Sequence, residues 1–168
     1  MSQFKNLQLL ALDVDGVLSD GRLYYTDQGE EFKSFNIRDG LGIKLLQRAG
    51  ITVAIITGRT SAMVTRRAAE LGIAHVVQGR EDKLEALQDL CGNLKIDLSN
   101  VAYMGDDLPD RRAIMAVGLG ATVADAASDV AAIADWQSRL PGGQGAVREL
   151  AEAWLRSLDL WDALIETV

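Results

Sequence analysis

Near its N-terminus the chain reads Leu9-Leu10-Ala11-Leu12-Asp13-Val14-Asp15-Gly16, an apolar run that ends in two aspartates and a glycine. The run predicts a buried strand, because it is short and has no helical periodicity. Side chains two positions apart on a strand point the same way, so Asp13 and Asp15 start on one face, although a turn at Gly16 can swing Asp15 aside. Two carboxylates at the end of a buried strand repel each other and lose hydration, so they need a cation or a proton. Taken alone, however, the pair is most simply an acidic turn.

The overall composition is that of a globular protein with one domain. The 168 residues are 48% hydrophobic and 24% charged, which is enough for a sizeable core, and we predict a single domain over residues 1–168. A net charge of −7 argues against a nucleic-acid partner. The single Cys91 excludes an internal disulfide and suits a reducing compartment. With no recognisable signal peptide or membrane-length apolar run, we expect a cytoplasmic protein without a membrane partner.

Strands and helices alternate from Asp39 onward. We predict strands over residues 51–56, 73–77, 101–104 and 119–123, and helices that begin near Asp39, Ser61, Lys83, Pro109 and Ser128. In this prediction Asp39 and Ser61 are helix caps, and Gly50 and Gly72 end the first two helices. Such alternation predicts an α/β fold with one doubly wound, Rossmann-like parallel sheet and right-handed crossovers.

Two further segments flank this alternating region. Aromatic and alternating residues on both sides of Asp27-Gln28-Gly29 predict a protruding β-hairpin over about residues 22–35. Because an isolated hairpin is marginally stable, we expect it to pack on another surface. After the flexible-looking Gly142-Gly143-Gln144-Gly145, an apolar seam predicts a long helix and tail over about residues 146–168, with Ser157 and Asp159 as possible breaks.

Polar side chains follow three of the predicted strands, and a lysine begins a helix on the same side. They are Asp13, Asp15, Thr57, Asp106, Asp107 and Lys83. Ligands of such sheets collect at the carboxyl ends of the strands, where these groups would converge. Oxygen ligands without histidine or cysteine favour Mg²⁺, and a hydroxyl and an ammonium suit phosphate oxygens. A carboxylate nucleophile beside a metal and a lysine is the arrangement that forms an aspartyl-phosphate.

These residues resemble the four signature motifs of the haloacid dehalogenase superfamily of phosphotransferases. The matching segments are Asp13-Val14-Asp15-Gly16, Thr57-Gly58-Arg59, Lys83 and Gly105-Asp106-Asp107. The resemblance extends over nearly the whole chain and is to phosphatases of phosphorylated sugar acids. Its further matching segments are Arg67–Ile73, Gln78-Gly79 and Gly142–Glu149.

The resemblance implies a role for each matching residue. Asp13 would attack phosphorus, and Asp15 would protonate the leaving alcohol and later activate water. Asp13, the backbone carbonyl of Asp15 and Asp106 would hold Mg²⁺, with Asp107 in support. Thr57 and Lys83 would hold the phosphoryl oxygens.

Chain length bears on how a substrate is recognised. About 25 residues separate Thr57 from Lys83, which leaves no room for an inserted cap domain. The resemblance implies a capless homotetramer in which hairpins associate and a neighbouring subunit covers each site, with residues 142–145 as a covering element.

The implied substrate is an eight-carbon sugar-acid phosphate used in lipopolysaccharide inner-core synthesis. Its carboxylate calls for further contacts, for which the candidates are Gly58, Arg59, Arg67, Arg80 and Arg148.

Three alternatives stay open from the sequence. A related capless phosphatase of a nine-carbon sugar-acid 9-phosphate is distinguished by comparing turnover on both substrates. A phospho-acceptor signalling domain also groups acids, a hydroxyl and a lysine around Mg²⁺, but its nucleophile lies mid-chain and its lysine comes last. A non-catalytic oligomerisation module of the same fold would lack phosphate release altogether.

Overall fold

The centre of the computed structural model, which describes residues 3–166, is a parallel sheet of six strands. In chain order the strands are β1 (Leu9–Leu12), β2 (Tyr24–Tyr25), β3 (Glu31–Phe32), β4 (Thr52–Ile56), β5 (His75–Val77), β6 (Val101–Met104), β7 (Leu119–Thr122) and β8 (Trp136–Gln137). The helices are α1 (Ile37–Arg48), α2 (Ala62–Leu71), α3 (Lys83–Leu94), α4 (Arg111–Ala116), α5 (Ser128–Ala131), α6 (Ala146–Ser157) and α7 (Trp161–Ile165). The sheet order is β5-β4-β1-β6-β7-β8, while β2 and β3 form a separate antiparallel pair.

The sheet is buried on both faces, which explains its nearly continuous apolar strands. Alternate residues of β1 enter different cores, as the two-residue period of a strand requires. Leu10 and Leu12 pack in the core on the side of α1 and α6. Leu9 and Ala11 pack in the opposite core, with residues of α3 and α4. The predicted doubly wound parallel sheet is confirmed.

The register of β1 with its neighbours decides where the strand ends meet. Leu12 pairs with Ile55 of β4 on one side and with Met104 of β6 on the other. The segments that follow these three strands therefore begin at nearly the same level of the sheet. This is the point where the chain winds away from β1 in both directions, and ligands of such sheets bind there.

The start of α1 differs from the prediction. Asn36, not Asp39, is the cap residue, and its side chain accepts a hydrogen bond from the Arg38 N–H. Asp39 lies inside the first turn and is buried. Its two carboxylate oxygens accept from the backbone N–H groups of Arg148, at 2.8 Å, and Gly145, at 3.3 Å. Asp39 therefore caps the distant helix α6, whose own cap position is a glycine.

The predicted long C-terminal helix is two helices. The chain leaves α6 after Ser157, and Asp159 has a φ of 58°, which is not helical. Trp161 at the start of α7 is nevertheless buried in the same core as Trp154 of α6. The apolar seam thus packs on its own domain, and the break falls in the predicted segment. The last two residues of the predicted tail, 167–168, lie outside the described residues.

The remaining strands and helices follow the prediction closely, with one omission. The strands predicted at 51–56, 73–77, 101–104 and 119–123 are present with small changes at their ends. Ser61 and Gly72 flank α2, and Gly72 has the left-handed conformation expected after a helix. The short edge strand β8 had no recognisable sequence signal, since only two residues pair with β7.

The predicted hairpin is present and leaves apolar side chains exposed. Tyr24 of β2 stacks on Phe32 of β3 with ring centroids 5.0 Å apart. Tyr25 and Phe32 are more than half exposed, and Leu23 is half exposed. In the described chain, the segment between β4 and α3 holds only α2 and β5, so it contains no inserted cap. None of the helices between residues 3 and 166 combines the length and apolar character that crossing a bilayer requires.

Candidate active site

A crevice of about 250 Å³ opens at the carboxyl ends of the central strands. Eight of the residues predicted for the site line it: Asp13, Asp15, Thr57, Gly58, Arg59, Lys83, Asp106 and Asp107. The strand register brings the first aspartates, Thr57 and the Asp106 segment together, and α3 begins with Lys83 at the same edge. The structure thus places the core of the predicted site in one crevice.

Three carboxylates crowd the floor of this crevice. Asp13, Asp106 and Asp110, called here the carboxylate triad, offer oxygen atoms that all lie within 4.8 Å of one another. Burial, followed by the charge of Asp110, raises the pKa of Asp13 to about 7. Burial, followed by the charges of Asp13 and Asp110, likewise raises the pKa of Asp106 to about 7. Oxygen-only donors with this much mutual repulsion suit a hard divalent cation.

The backbone around Gly16 permits the crowding. Gly16 has a φ of +90°, and a Cβ atom built on it would lie 1.9 Å from Asp106 Oδ2. Any side chain at this position would therefore displace a member of the carboxylate triad.

Lys83 is the buried cation of the crevice. Its Nζ lies 2.8 Å from Asp13 Oδ2 and 2.7 Å from Asp110 Oδ1. Burial acts to lower the pKa of Lys83, but the charges of Asp13 and Asp110 outweigh it, and the net shift is upward. Lys83 is therefore a permanent ammonium beside the Asp13 carboxylate.

Asp110 was not among the residues predicted for the site, although it has more polar partners than the predicted Asp107. One oxygen accepts from Lys83 and from the Tyr103 hydroxyl, at 2.8 Å. The other accepts from the backbone N–H groups of Asp106 and Asp107, at 3.1 and 3.2 Å. Asp107 is exposed, and its carboxylate accepts from the Leu108 N–H. The sequence offered only a third acidic residue in Gly105–Asp110 as a hint, and the contact of that residue with Lys83 is created by the fold.

Asp15 lies at the rim, among charged residues of the hairpin and of the loop after β4. Lys33 Nζ is 2.5 Å from Asp15 Oδ1, and Arg59 Nε is 3.9 Å from Asp15 Oδ2. Glu31 pairs with both cations, at 3.5 Å from Lys33 and 3.1 Å from Arg59. No pattern in the sequence pointed to Lys33, because its contact with Asp15 depends on how the hairpin packs beside the rim of the crevice.

The glycine-rich segment 142–145 supports the first loop of the same chain. A Cβ atom on Gly142 would lie 1.8 Å from the carbonyl oxygen of Gly16. The Gly143 N–H donates to the Val17 carbonyl at 2.9 Å. The segment that looked flexible in sequence is therefore packed behind the loop that carries Asp15.

Three of the predicted substrate-binding arginines lie outside the crevice. Arg80 pairs with Asp82 at 2.6 Å. Arg67 donates to the Asn36 carbonyl at 3.4 Å. Arg148 lines a separate cavity of about 930 Å³, and its guanidinium lies 4.9 Å from the centre of the Trp161 ring. Within this chain, only Arg59 of the predicted arginines reaches the crevice.

Known proteins resemble this chain in both sequence and structure. The family model described as haloacid dehalogenase-like hydrolase matches residues 68–148. A 3-deoxy-D-manno-octulosonate 8-phosphate phosphatase of Escherichia coli (strain B / BL21-DE3) is 50% identical over 155 residues, covering 92% of this chain and 82% of the relative.

Two solved structures extend the comparison to the fold. The phosphatase of the same name from Moraxella catarrhalis, in complex with magnesium, phosphate and KDO, is 48% identical with a TM-score of 0.96, over 98% of this chain and 95% of its own. The cobalt-bound phosphatase from Haemophilus influenzae is 40% identical with a TM-score of 0.90, and the match covers 94% of this chain and 92% of that chain. This chain therefore belongs to the haloacid dehalogenase-like hydrolases and, among them, to the 3-deoxy-D-manno-octulosonate 8-phosphate phosphatase family.

Proposed function

We propose that this protein is a Mg²⁺-dependent phosphatase that hydrolyses 3-deoxy-D-manno-octulosonate 8-phosphate to the free sugar acid and phosphate. The observation that carries the proposal is the similarity to a relative of that name, which is 50% identical in sequence over 92% of this chain. A neighbour of TM-score 0.96 with magnesium, phosphate and the sugar acid supports it. The reaction belongs to the synthesis of the inner-core sugar of lipopolysaccharide. Residues 1–168 form one hydrolase domain.

Mg²⁺ fits the donors that the crevice offers. Asp13, Asp106 and the backbone carbonyl of Asp15 are the proposed ligands, with Asp107 in support. When bound, Mg²⁺ neutralises the charge of these carboxylates and of the phosphoryl oxygens. We assign Asp110 to Lys83 instead, because both of its oxygens already accept from protein donors.

The first half of the reaction transfers the phosphoryl group to Asp13. A carboxylate oxygen of Asp13 forms a bond to phosphorus, while the bond from phosphorus to the sugar oxygen breaks. The Asp15 carboxyl group gives its proton to that oxygen, so the sugar acid leaves as an alcohol. The products of this half are the free sugar acid, an aspartyl-phosphate at Asp13 and an ionised Asp15.

The second half releases phosphate. Asp15 takes a proton from a water molecule as the water oxygen bonds to phosphorus, and the bond from phosphorus to Asp13 breaks. Asp13 is regenerated as a carboxylate and Asp15 as the protonated acid. Thr57, which is buried at the end of β4, and the Lys83 ammonium bind the phosphoryl oxygens in both halves.

Substrate recognition involves the rim and a second subunit. Gly58 and Arg59 line the crevice and meet the substrate beyond its phosphate. Arg67, Arg80 and Arg148 point elsewhere in this chain, so as substrate ligands they would act on a neighbour's crevice. We propose a homotetramer joined through the exposed apolar hairpin, since a bare crevice selects its substrate poorly. We further place the enzyme in the cytoplasm, where its single buried Cys91 stays reduced.

Phosphate release from purified protein tests the function. We expect Mg²⁺-dependent turnover that is fastest on the eight-carbon 8-phosphate, slower on the nine-carbon 9-phosphate and slower again on simple sugar phosphates. Asp13→Asn should abolish turnover, because an amide cannot form the intermediate, and EDTA should abolish it reversibly. Preference for the nine-carbon substrate, or turnover by Asp13→Asn, would overturn the proposal.

A further inference from the structure

The hairpin places a buried ammonium group beside the proposed general acid. Lys33 directly follows β3 and the exposed Phe32, and its side chain reaches Asp15 at the rim of the crevice. Its side chain is only 1% exposed, which is rare for a lysine. Its Nζ lies 2.5 Å from Asp15 Oδ1 and 3.5 Å from Glu31 Oε1.

The burial of the Lys33 ammonium group is stabilised by its acidic partners. Burying an ammonium without partners is strongly unfavourable, so the buried position of Lys33 depends on Asp15 and Glu31. Asp15 in turn has a 23% exposed side chain and a much longer contact with Arg59, at 3.9 Å. The shortest polar contact of the Asp15 carboxylate among the described residues is therefore with Lys33.

The two carboxylates that share the chemistry are thus held by different parts of the fold. Asp13 is fixed by Lys83 of α3 and is nearly buried. Asp15 is fixed by Lys33, which the hairpin brings to the rim of the crevice. The hairpin itself is tied to the loop after β1 at a second point, where the Tyr24 hydroxyl donates to Asp20 at 2.5 Å.

We propose that Lys33 is a positioning residue for Asp15, and that the hairpin, not the sheet, sets the geometry of the acid–base step. The Lys33 ammonium holds the Asp15 carboxyl group where it can pass a proton to the oxygen released from phosphorus. This inference rests on the proposed role of Asp15, and misplacement by about an ångström is enough to slow such a step strongly.

Substrates whose leaving groups differ in basicity distinguish a positioning role of Lys33 from its other possible roles. An aryl phosphate such as p-nitrophenyl phosphate releases a weakly basic phenolate and needs little protonation. Arabinose 5-phosphate releases a strongly basic alkoxide and has no carboxylate. The eight-carbon sugar-acid phosphate has both a basic leaving oxygen and a carboxylate. Because kcat/KM reports steps up to departure of the leaving group, later hydrolysis of the intermediate does not enter it.

The experiment compares kcat/KM of wild type and Lys33→Met on these three substrates. We expect a fall of about 10- to 100-fold on both alkyl phosphates, within the range of general acid catalysis, and a change below about threefold on the aryl phosphate. Lys33→Arg should recover most of the loss, because it restores a cation. Lys44→Met, the same change at an exposed lysine of α1, is the matched control and should change nothing.

Each other outcome contradicts the inference. An equal fall on all three substrates would mean that Lys33 only stabilises the fold. A fall confined to the sugar-acid phosphate would mean that Lys33 binds the substrate carboxylate. An unchanged kcat/KM on both alkyl phosphates would mean that Lys33 has no role in the reaction. If Lys33→Met does not fold, Lys33→Gln keeps a hydrogen-bond donor and gives the same comparison. A wild type inactive on the eight-carbon substrate would instead refute the proposed function.

Discussion

Replacing Asp110 by asparagine should destabilise the protein far more than its single-atom change suggests. Asp110 is fully buried, and each of its two oxygens accepts from two donors. Lys83 and Tyr103 contact Oδ1, while two backbone N–H groups contact Oδ2. In either orientation, the amide NH₂ of Asp110→Asn must face a pair of donors.

The contacts give the magnitude. Hydrogen bonds to a charged buried group contribute about 1.5–3 kcal/mol each, so losing two costs about 3–6 kcal/mol. That is a large part of the roughly 5–15 kcal/mol by which a domain is stable, and it lowers Tm by about 6–24 °C in a chain of this size. Removing the Asp110 charge also relieves repulsion on Asp13 and Asp106. With pKa values near 7, these two are mostly protonated at pH 5.5, so the relief is small there and grows toward pH 8.

Urea and thermal unfolding in EDTA, followed by far-UV circular dichroism, measure the cost. We expect the full loss at pH 5.5 and a smaller loss at pH 8. Asp107→Asn is the matched control, because asparagine caps a helical turn as well as aspartate, and it should change stability by less than about 0.5 kcal/mol. A cost for Asp110→Asn below about 1 kcal/mol at pH 5.5, or one that increases toward pH 8, would refute the reasoning.

Three further predictions concern the metal, the glycine-rich segment and the cap of α6. Because Asp13 and Asp106 have pKa values raised from 3.8 to about 7, the folded state binds more protons than the unfolded state, and metal-free stability should fall as pH rises from about 4 to 7. Saturating Mg²⁺ should therefore raise Tm more at pH 8 than at pH 5, and an equal rise in thermal scans would contradict this. Gly142→Ala, whose Cβ would overlap a backbone oxygen, should lower both Tm and turnover, whereas Gly92→Ala, with open space within α3, should raise Tm slightly. Asp39→Ala should cost about 2–3 kcal/mol in urea unfolding, because two backbone N–H groups lose their acceptor, and Asp39→Asn should recover about half.

Most of the fold and the centre of the site followed from local sequence pattern. Apolar runs of four to six residues predicted the central strands, and the polar residues that end them met because parallel strands share a carboxyl edge. Asp13, Thr57, Lys83 and Asp106 could be placed in one crevice on this ground. The prediction of separate binding arginines had no such geometric support, and only Arg59 lies in the crevice of the same chain.

The contacts that the sequence could not reveal join residues far apart in the chain. Asp39 looked like a local helix cap but accepts from the N–H of Arg148, 109 positions away. Lys83 was predicted, but its second counter-ion, Asp110, became evident only where α3 meets the turn after β6. The two-residue strand β8 had no periodicity to detect, because pairing with β7 alone defines it.

For the opening Asp13-Val14-Asp15-Gly16 segment, the sequence by itself determined a strand end with two carboxylates that need a cation, because backbone alternation and charge repulsion act locally. Only the tertiary structure decided that the two aspartates take different positions and partners. Asp13 lies buried against Lys83, while Asp15 turns to the rim and contacts Lys33 of the hairpin. The physical reason is that orientation at this strand end depends on packing partners contributed by α3 and by the hairpin. Neither partner's position can be read from the segment itself.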